Sequence, residues 1–184
     1  MTEDKENKLI RGRYFFTSDE HYFHKNIIRY CERPFTCVRD MHEQLINNHN
    51  DVVSPEDTTI HAGDFSFGSK EITYKEVISK LNGKHIFLKG DHDKWLGNTG
   101  SYMWLKYIDG MHVCVSHYCM RTWWLSHYNS WNLFGHSHGK LKMDGLGKQH
   151  DIGTDNNKYH PLSFDQLKVI MSNKPNNFNY INKE

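Results

Sequence analysis

The sequence predicts an α/β protein. Short strand-like runs, each ending on a small residue beside an Asp or a His, alternate with segments whose apolar residues recur every three or four positions. Tyr14 to Ser18 is rich in aromatic residues and is cut off by an acid, so it reads as the first strand. Val38, Met41, Leu45 and Ile46 mark a helix over about 38–50. Thr58 to Ala62 reads as a strand stopped by Gly63-Asp64, and Ile72, Val77, Ile78 and Leu81 predict a helix over about 70–82. Three further strands follow: His85 to Leu88 ends at Gly90-Asp91, His112 to Val115 at Ser116-His117, and Asn132 to Phe134 at Gly135-His136. Ser163 with Gln166 three residues later is a capping-box signature, opening a last helix through Leu167, Val169, Ile170 and Met171.

Composition narrows the classes. A chain of 184 residues without repeats or a Pro- or Gly-rich linker predicts one domain over 1–184, with loosely ordered ends at 1–11 and 173–184. Lys+Arg 23 against Asp+Glu 22 leaves a net charge of +1, which gives no bulk attraction to nucleic acid or anionic membrane. No apolar run approaches the roughly 18 residues of a membrane span. Met1 to Lys8 is charged and has no apolar core, which predicts a cytoplasmic protein without a leader. Cys31, Cys37, Cys114 and Cys119 form no C-x-x-C pair, so neither a zinc knuckle nor a redox pair is indicated. Lys5, Lys8, Arg11 and Arg13 read as a solvated arm.

The 14 histidines ask for an explanation, and their positions supply one. In an α/β protein, ligands gather at the carboxyl ends of strands. Asp19-Glu20-His21, Gly63-Asp64, Gly90-Asp91-His92-Asp93, His117 and Gly135-His136-Ser137-His138 all fall there. They offer carboxylate oxygen and imidazole nitrogen with no thiolate, a set that suits Mn²⁺, Fe, Zn²⁺ or Mg²⁺. Asp19 and His21, or His136 and His138, would point the same way if extended geometry persists past the strand ends. Asp19, Asp64, Asp91, His21, His117, His136 and His138 are too many for one ion. Two ions sharing a carboxylate would use them all, the arrangement that clamps in-line displacement at phosphorus.

This ordered series resembles the motif set of the calcineurin-like metallophosphoesterase superfamily: Asp-x-His, Gly-Asp, Gly-Asn-His-Asp, a lone His, then Gly-His-x-His. Thr17-Ser18-Asp19 with His24-Lys25-Asn26-Ile27-Ile28, Arg33-Pro34-Phe35, Leu81-Asn82-Gly83, Ser116-His117-Tyr118 and Gly153-Thr154-Asp155 are similar to its small phage and bacterial members. The resemblance implies a four-layer α/β/β/α sandwich. It implies two divalent ions, with Mn favoured among Mn, Fe, Zn, Ni and Mg. Asp19, His21 and His138 would hold one, Asp91, His117 and His136 the other, and Asp64 would bridge. A hydroxide between the ions would be the nucleophile, since a bound cation lowers a water's pKa from 15.7 to about 7. His92 would steady the phosphoryl oxygen and protonate the leaving alkoxide, and Asp93 would orient His92.

One position departs: Asp91 stands where the family pattern has Asn. An Asn carbonyl can bind metal while its NH₂ donates to phosphate, whereas an ionised Asp only accepts. Two dications, three carboxylates and a hydroxide sum to no formal charge, so Asp91 should hold metal more tightly and attract anionic substrate less. A natural variant with altered preference, an engineered change that traps substrate or product, and a tolerated swap of similar shape all remain open.

The expected activity is hydrolysis of a phosphodiester or phosphomonoester, with a nucleotide or other small molecule favoured as substrate. A nuclease ranks lower because the charge balance offers little for a basic groove. A third reading is a binding module that keeps the fold with weak catalysis. His24 would either reach phosphate or substrate or simply open a helix, while His61 and His85 read as core histidines. Between Tyr118 and Trp131, Trp123, Trp124, Tyr128 and Trp131 form either a lid stacking a flat group, with Arg121 on phosphate, or core and interface packing.

Overall fold

The computed structural model describes residues 12–142 and 147–182. It is a mixed α/β protein with two four-stranded sheets and four α-helices among the described residues. The strands are β1 (Tyr14–Thr17), β2 (Thr58–His61), β3 (Lys84–Phe87), β4 (Met103–Ile108), β5 (Met111–Ser116), β6 (Trp131–Phe134), β7 (Gln149–Asp151) and β8 (Leu162–Ser163). The helices are α1 (Lys25–Tyr30), α2 (Val38–Val52), α3 (Lys70–Glu76) and α4 (Phe164–Ser172). The first sheet runs β3-β2-β1-β8 and the second β4-β5-β6-β7. In each, three strands are parallel and one edge strand is antiparallel: β8 beside β1, and β4 beside β5.

The apolar cores explain this layering. Phe16, Ile60 and Leu88 of the first sheet meet Val113, Val115, Trp131 and Leu133 of the second in one buried cluster, which α4 enters through Phe164, Leu167 and Met171. Tyr22, Ile27, Met41, Leu45, Phe65 and Val77 form a second cluster, built with helices α1 and α2. On β5, Val113 and Val115 face the core, so His112 and Cys114 point the other way. Trp124 meets His112 edge-on there, with ring centroids 4.8 Å apart.

The capping box forms as the spacing predicts, with Ser163 and Gln166 each accepting the other's backbone N–H. Three expectations need correction. The helix expected over 70–82 stops at Glu76, because Val77 leaves helical geometry as it is drawn into the second core, and a 3₁₀ turn over Ile78–Lys80 follows. The segment expected to be loose over 173–184 has fixed contacts as far as Ile181, whose N–H donates to the His127 carbonyl at 2.9 Å. Asn177 is buried and donates to the carbonyls of Ser126 and Ser130, while its Oδ1 accepts from the Lys148 N–H. The other loose end, residues 1–11, lies outside the described residues. Extended geometry, expected to carry past the strand ends, gives way to turns where the candidate site forms. No helix among the described residues is long and apolar enough to cross a membrane.

Candidate metal centre

Parallel pairing brings the carboxyl ends of β1, β2 and β3 level, with Thr17, His61 and Phe87 in register. Val115, Leu133 and His150 are level in the second sheet. The two sets of ends are stitched together: the Thr154 N–H donates to the Ser18 carbonyl at 2.9 Å, and the His136 N–H to both Asp19 carboxylate oxygens at 3.0 and 2.9 Å.

Extended geometry does not persist past those ends. Asp19, His21, Asp64, His136 and His138 have φ of 59°, 55°, 54°, 67° and 45°. Left-handed backbone at non-glycine residues costs about 1–3 kcal/mol each and persists where surroundings over-determine it. The side chains therefore converge through tight turns, and the two-residue alternation expected for Asp19/His21 and His136/His138 is not the cause. The motif glycines are steric necessities of the same crowding. A Cβ on Gly90 would overlap the Asp64 carboxylate, and one on Gly135 would overlap the side chains of Ser18 and Asp19.

The structure gathers the seven proposed ligands. Asp19, His21 and His138 offer ligand atoms within 4.8 Å of one another, and so do Asp91, His117 and His136. Asp64 lies between, grouping with Asp19 and His117. Its Oδ2 is 3.7 Å from His21 Nε2, 3.5 Å from His117 Nε2 and 3.9 Å from His92 Nε2.

Burial and neighbouring charge shift four of these groups. Burial pushes the Asp19 carboxyl up to about 7 and the His21 imidazole down to about 2. Burial also opposes charge on Asp64 and His117, but each outweighs it for the other: the Asp64 carboxyl falls to about 2 and His117 rises to about 9. His117 Nδ1 donates to the Ala62 carbonyl at 3.0 Å, which turns Nε2 toward Asp64, where a bound cation would take the place of the Nε2 proton. Nε2 of His21 and Nε2 of His117 are buried without a hydrogen-bond partner among the described residues. Buried imidazole nitrogens left without a partner beside a shared carboxylate are costly unless a cation, in place of a proton, satisfies both, so the residues fit divalent metal.

Three expected roles come out differently. Asp93 does not bond to His92. Its carboxylate accepts the backbone N–H groups of Asp64, Phe65, Ser66 and Gly90, together with Trp95 Nε1, at 2.6–3.2 Å. It clamps the loop after β2 to the loop after β3, and so sets the position of Asp64. Trp123 is buried, with its indole N–H on the Ser130 carbonyl, so it packs and does not offer a free face. The Arg121 guanidinium lies 5.0 Å over the Phe178 ring, toward the chain's end. With Trp124 at the amino end of β5, opposite His117, this segment is packing and not a lid over the ligands.

His24 is in the site, with its Nδ1 3.2 Å from His21 Nδ1. Phe67, which no sequence signal singled out, lies against both His24 and His92, with ring centroids 3.9 and 4.4 Å away. The Tyr118 hydroxyl donates to Asp91, and its ring meets His136 edge-on. Glu20 turns away from the ligands and pairs with His61 Nδ1 at 2.6 Å, and His61 Nε2 reaches His85 at 3.1 Å, as core histidines should.

Fold and site together define a mixed α/β protein with a carboxylate–imidazole centre at its strand ends. No family model matches the chain. It is 29% identical over 167 residues to the uncharacterized protein MJ1445 of Methanocaldococcus jannaschii, covering 87% of this chain and 92% of that one. Its fold is similar to the crystal structure of AQ665, a protein of unknown function from Aquifex aeolicus, with a TM-score of 0.68 and 22% identity over 86% of this chain and 99% of that one.

Proposed function

We propose that this chain is a two-metal phosphoesterase of the calcineurin-like type, acting in the cytoplasm, with its sheets as the inner layers of a four-layer α/β/β/α sandwich. The observation that carries the reading is the convergence of two ligand triads on the shared Asp64, with unpartnered imidazole nitrogens facing it. Asp19, His21 and His138 would hold one ion and Asp91, His117 and His136 the other, Mn being favoured among Mn, Fe, Zn, Ni and Mg. Such ions supply Lewis acidity toward phosphoryl oxygens and lower the pKa of water.

The chain's own residues do the rest. His92 is exposed at the mouth of the site, and its backbone N–H donates to Asp64 Oδ1 at 2.9 Å. Stacking on Phe67 limits its ring, and from there it protonates the leaving oxygen. The exposed rings of Phe67 and Tyr118 favour a substrate with a flat substituent, such as a nucleotide. The test is hydrolysis of an aryl phosphodiester against an aryl phosphomonoester with Mn²⁺, Ni²⁺, Zn²⁺ and Mg²⁺. His92→Ala should lower turnover by about 10²–10⁴ with metal content unchanged. Metal-replete protein that cleaves neither ester refutes the proposal, and full activity in His92→Ala refutes the acid assignment.

A further inference from the structure

We infer that Arg33 and Asp155 are the positioning pair of the first metal set: Asp155 fixes the His138 ring, and Arg33 ties Asp155 to the loop carrying Asp19 and His21. This rests on the metal reading above and adds residues that the ligand motifs do not include. Asp155 sits in the 3₁₀ turn after β7, and its Oδ2 lies 2.7 Å from His138 Nδ1. That contact holds the proton on Nδ1 and leaves Nε2 as the coordinating atom, as a carboxylate behind a ligand histidine does.

Arg33 lies 122 residues away in sequence, yet its side chain is fully buried against Asp155. Nε and Nη2 donate to the two carboxylate oxygens, both at 2.8 Å, a fork that fixes the plane of the carboxylate. Two further bonds go to the ligand loop of β1: Nη1 reaches the Glu20 carbonyl at 2.9 Å and Nη2 the Asp19 carbonyl at 2.7 Å. Thr154 joins them, donating its hydroxyl to the same Asp19 carbonyl at 3.1 Å. One guanidinium therefore sets the backbone that aims Asp19 and His21 and, through Asp155, the ring of His138. A buried ion pair gives little net stability over apolar packing, so the return from this one is geometric.

Asp155 also groups with Cys31 and His138 as a potential ligand set. Its two oxygens are already taken by Arg33 and His138, which makes it a support and not a ligand.

The pair is tested by titrating metal-free full-length protein with Co²⁺, following visible absorption and heat. Wild type should bind two ions. Asp155→Asn should weaken one of them by about 10–100-fold, leaving the other within about threefold, and Asp155→Ala should weaken it at least as much. A general loss of structure would weaken both ions together, and that result overturns the inference. So does Asp155→Asn with both affinities unchanged, while wild type that takes up no Co²⁺ refutes the metal reading itself. Should Asp155→Ala fail to fold, the near-isosteric Asn carries the comparison. Long-range ¹H–¹⁵N spectra of Zn²⁺-loaded wild type give a measurement that needs no variant. His138 should carry its proton on Nδ1, and a His138 protonated on Nε2 overturns the inference.

Discussion

Replacing Asp93 by Asn tests the finding that this acid clamps backbone and does not orient His92. Asp93 is 1% exposed, and its Oδ1 accepts from the N–H groups of Phe65 and Ser66 and from Trp95 Nε1, while Oδ2 accepts from Asp64 and Gly90. Asn has one acceptor oxygen, so its better orientation serves the first three and turns an NH₂ toward the N–H groups of Asp64 and Gly90. The buried N–H of Asp64 and the half-buried N–H of Gly90 lose their partner. At about 1–3 kcal/mol each, the loss is about 2–6 kcal/mol. That is a large part of the roughly 5–15 kcal/mol that holds a domain folded. Urea unfolding followed by circular dichroism should show the midpoint falling by about 1–3 M with the slope unchanged. An orienting role would instead lower turnover and leave the midpoint alone. A midpoint within about 0.3 M of wild type refutes the clamp.

Other expectations follow from the same geometry. Mn²⁺ should raise the unfolding midpoint, because each site filled at 100 times its Kd adds about 2.7 kcal/mol, and EDTA should reverse it; identical midpoints contradict the metal centre. Asp91→Asn should raise turnover of a generic phosphodiester by removing a negative charge from the site, and unchanged or lower turnover contradicts that charge argument. Burial holds His49 down to about 3 from its ordinary 6.5, so the unfolded chain binds its proton first. Stability should therefore be lost as pH falls from about 6.5 toward 3. His49→Gln, which keeps a donor toward the Asn82 carbonyl, should flatten that fall in the thermal midpoint between about pH 6.5 and 4; an unaltered slope counts against it.

The elements legible in the sequence are those with a local signature. β1, β2, β3, β5 and β6 stand where aromatic or β-branched runs meet turn residues, and α4 begins at its capping box. β4 escaped because Met103-Trp104-Leu105-Lys106-Tyr107-Ile108 is apolar on both faces and shows no alternation, as an edge strand can be. β7 and β8 have three and two residues, too few for any period to register. α1 buries only Ile27, so it has no apolar stripe to find.

The sequence by itself determined the alternation of strand and helix, the chemistry of the donors, and their placement at strand ends, because each is written in neighbouring residues. Tertiary structure decided how those donors converge. Left-handed turns at Asp19, His21, Asp64, His136 and His138 are held by contacts between loops of two sheets. It also reassigned Asp93 from a partner of His92 to a clamp on the Asp64 loop, and it paired Arg33 with Asp155 across 122 residues. Hydrogen bonds between distant segments leave no period in the chain. They exist once hydrophobic burial has brought both ends to one place.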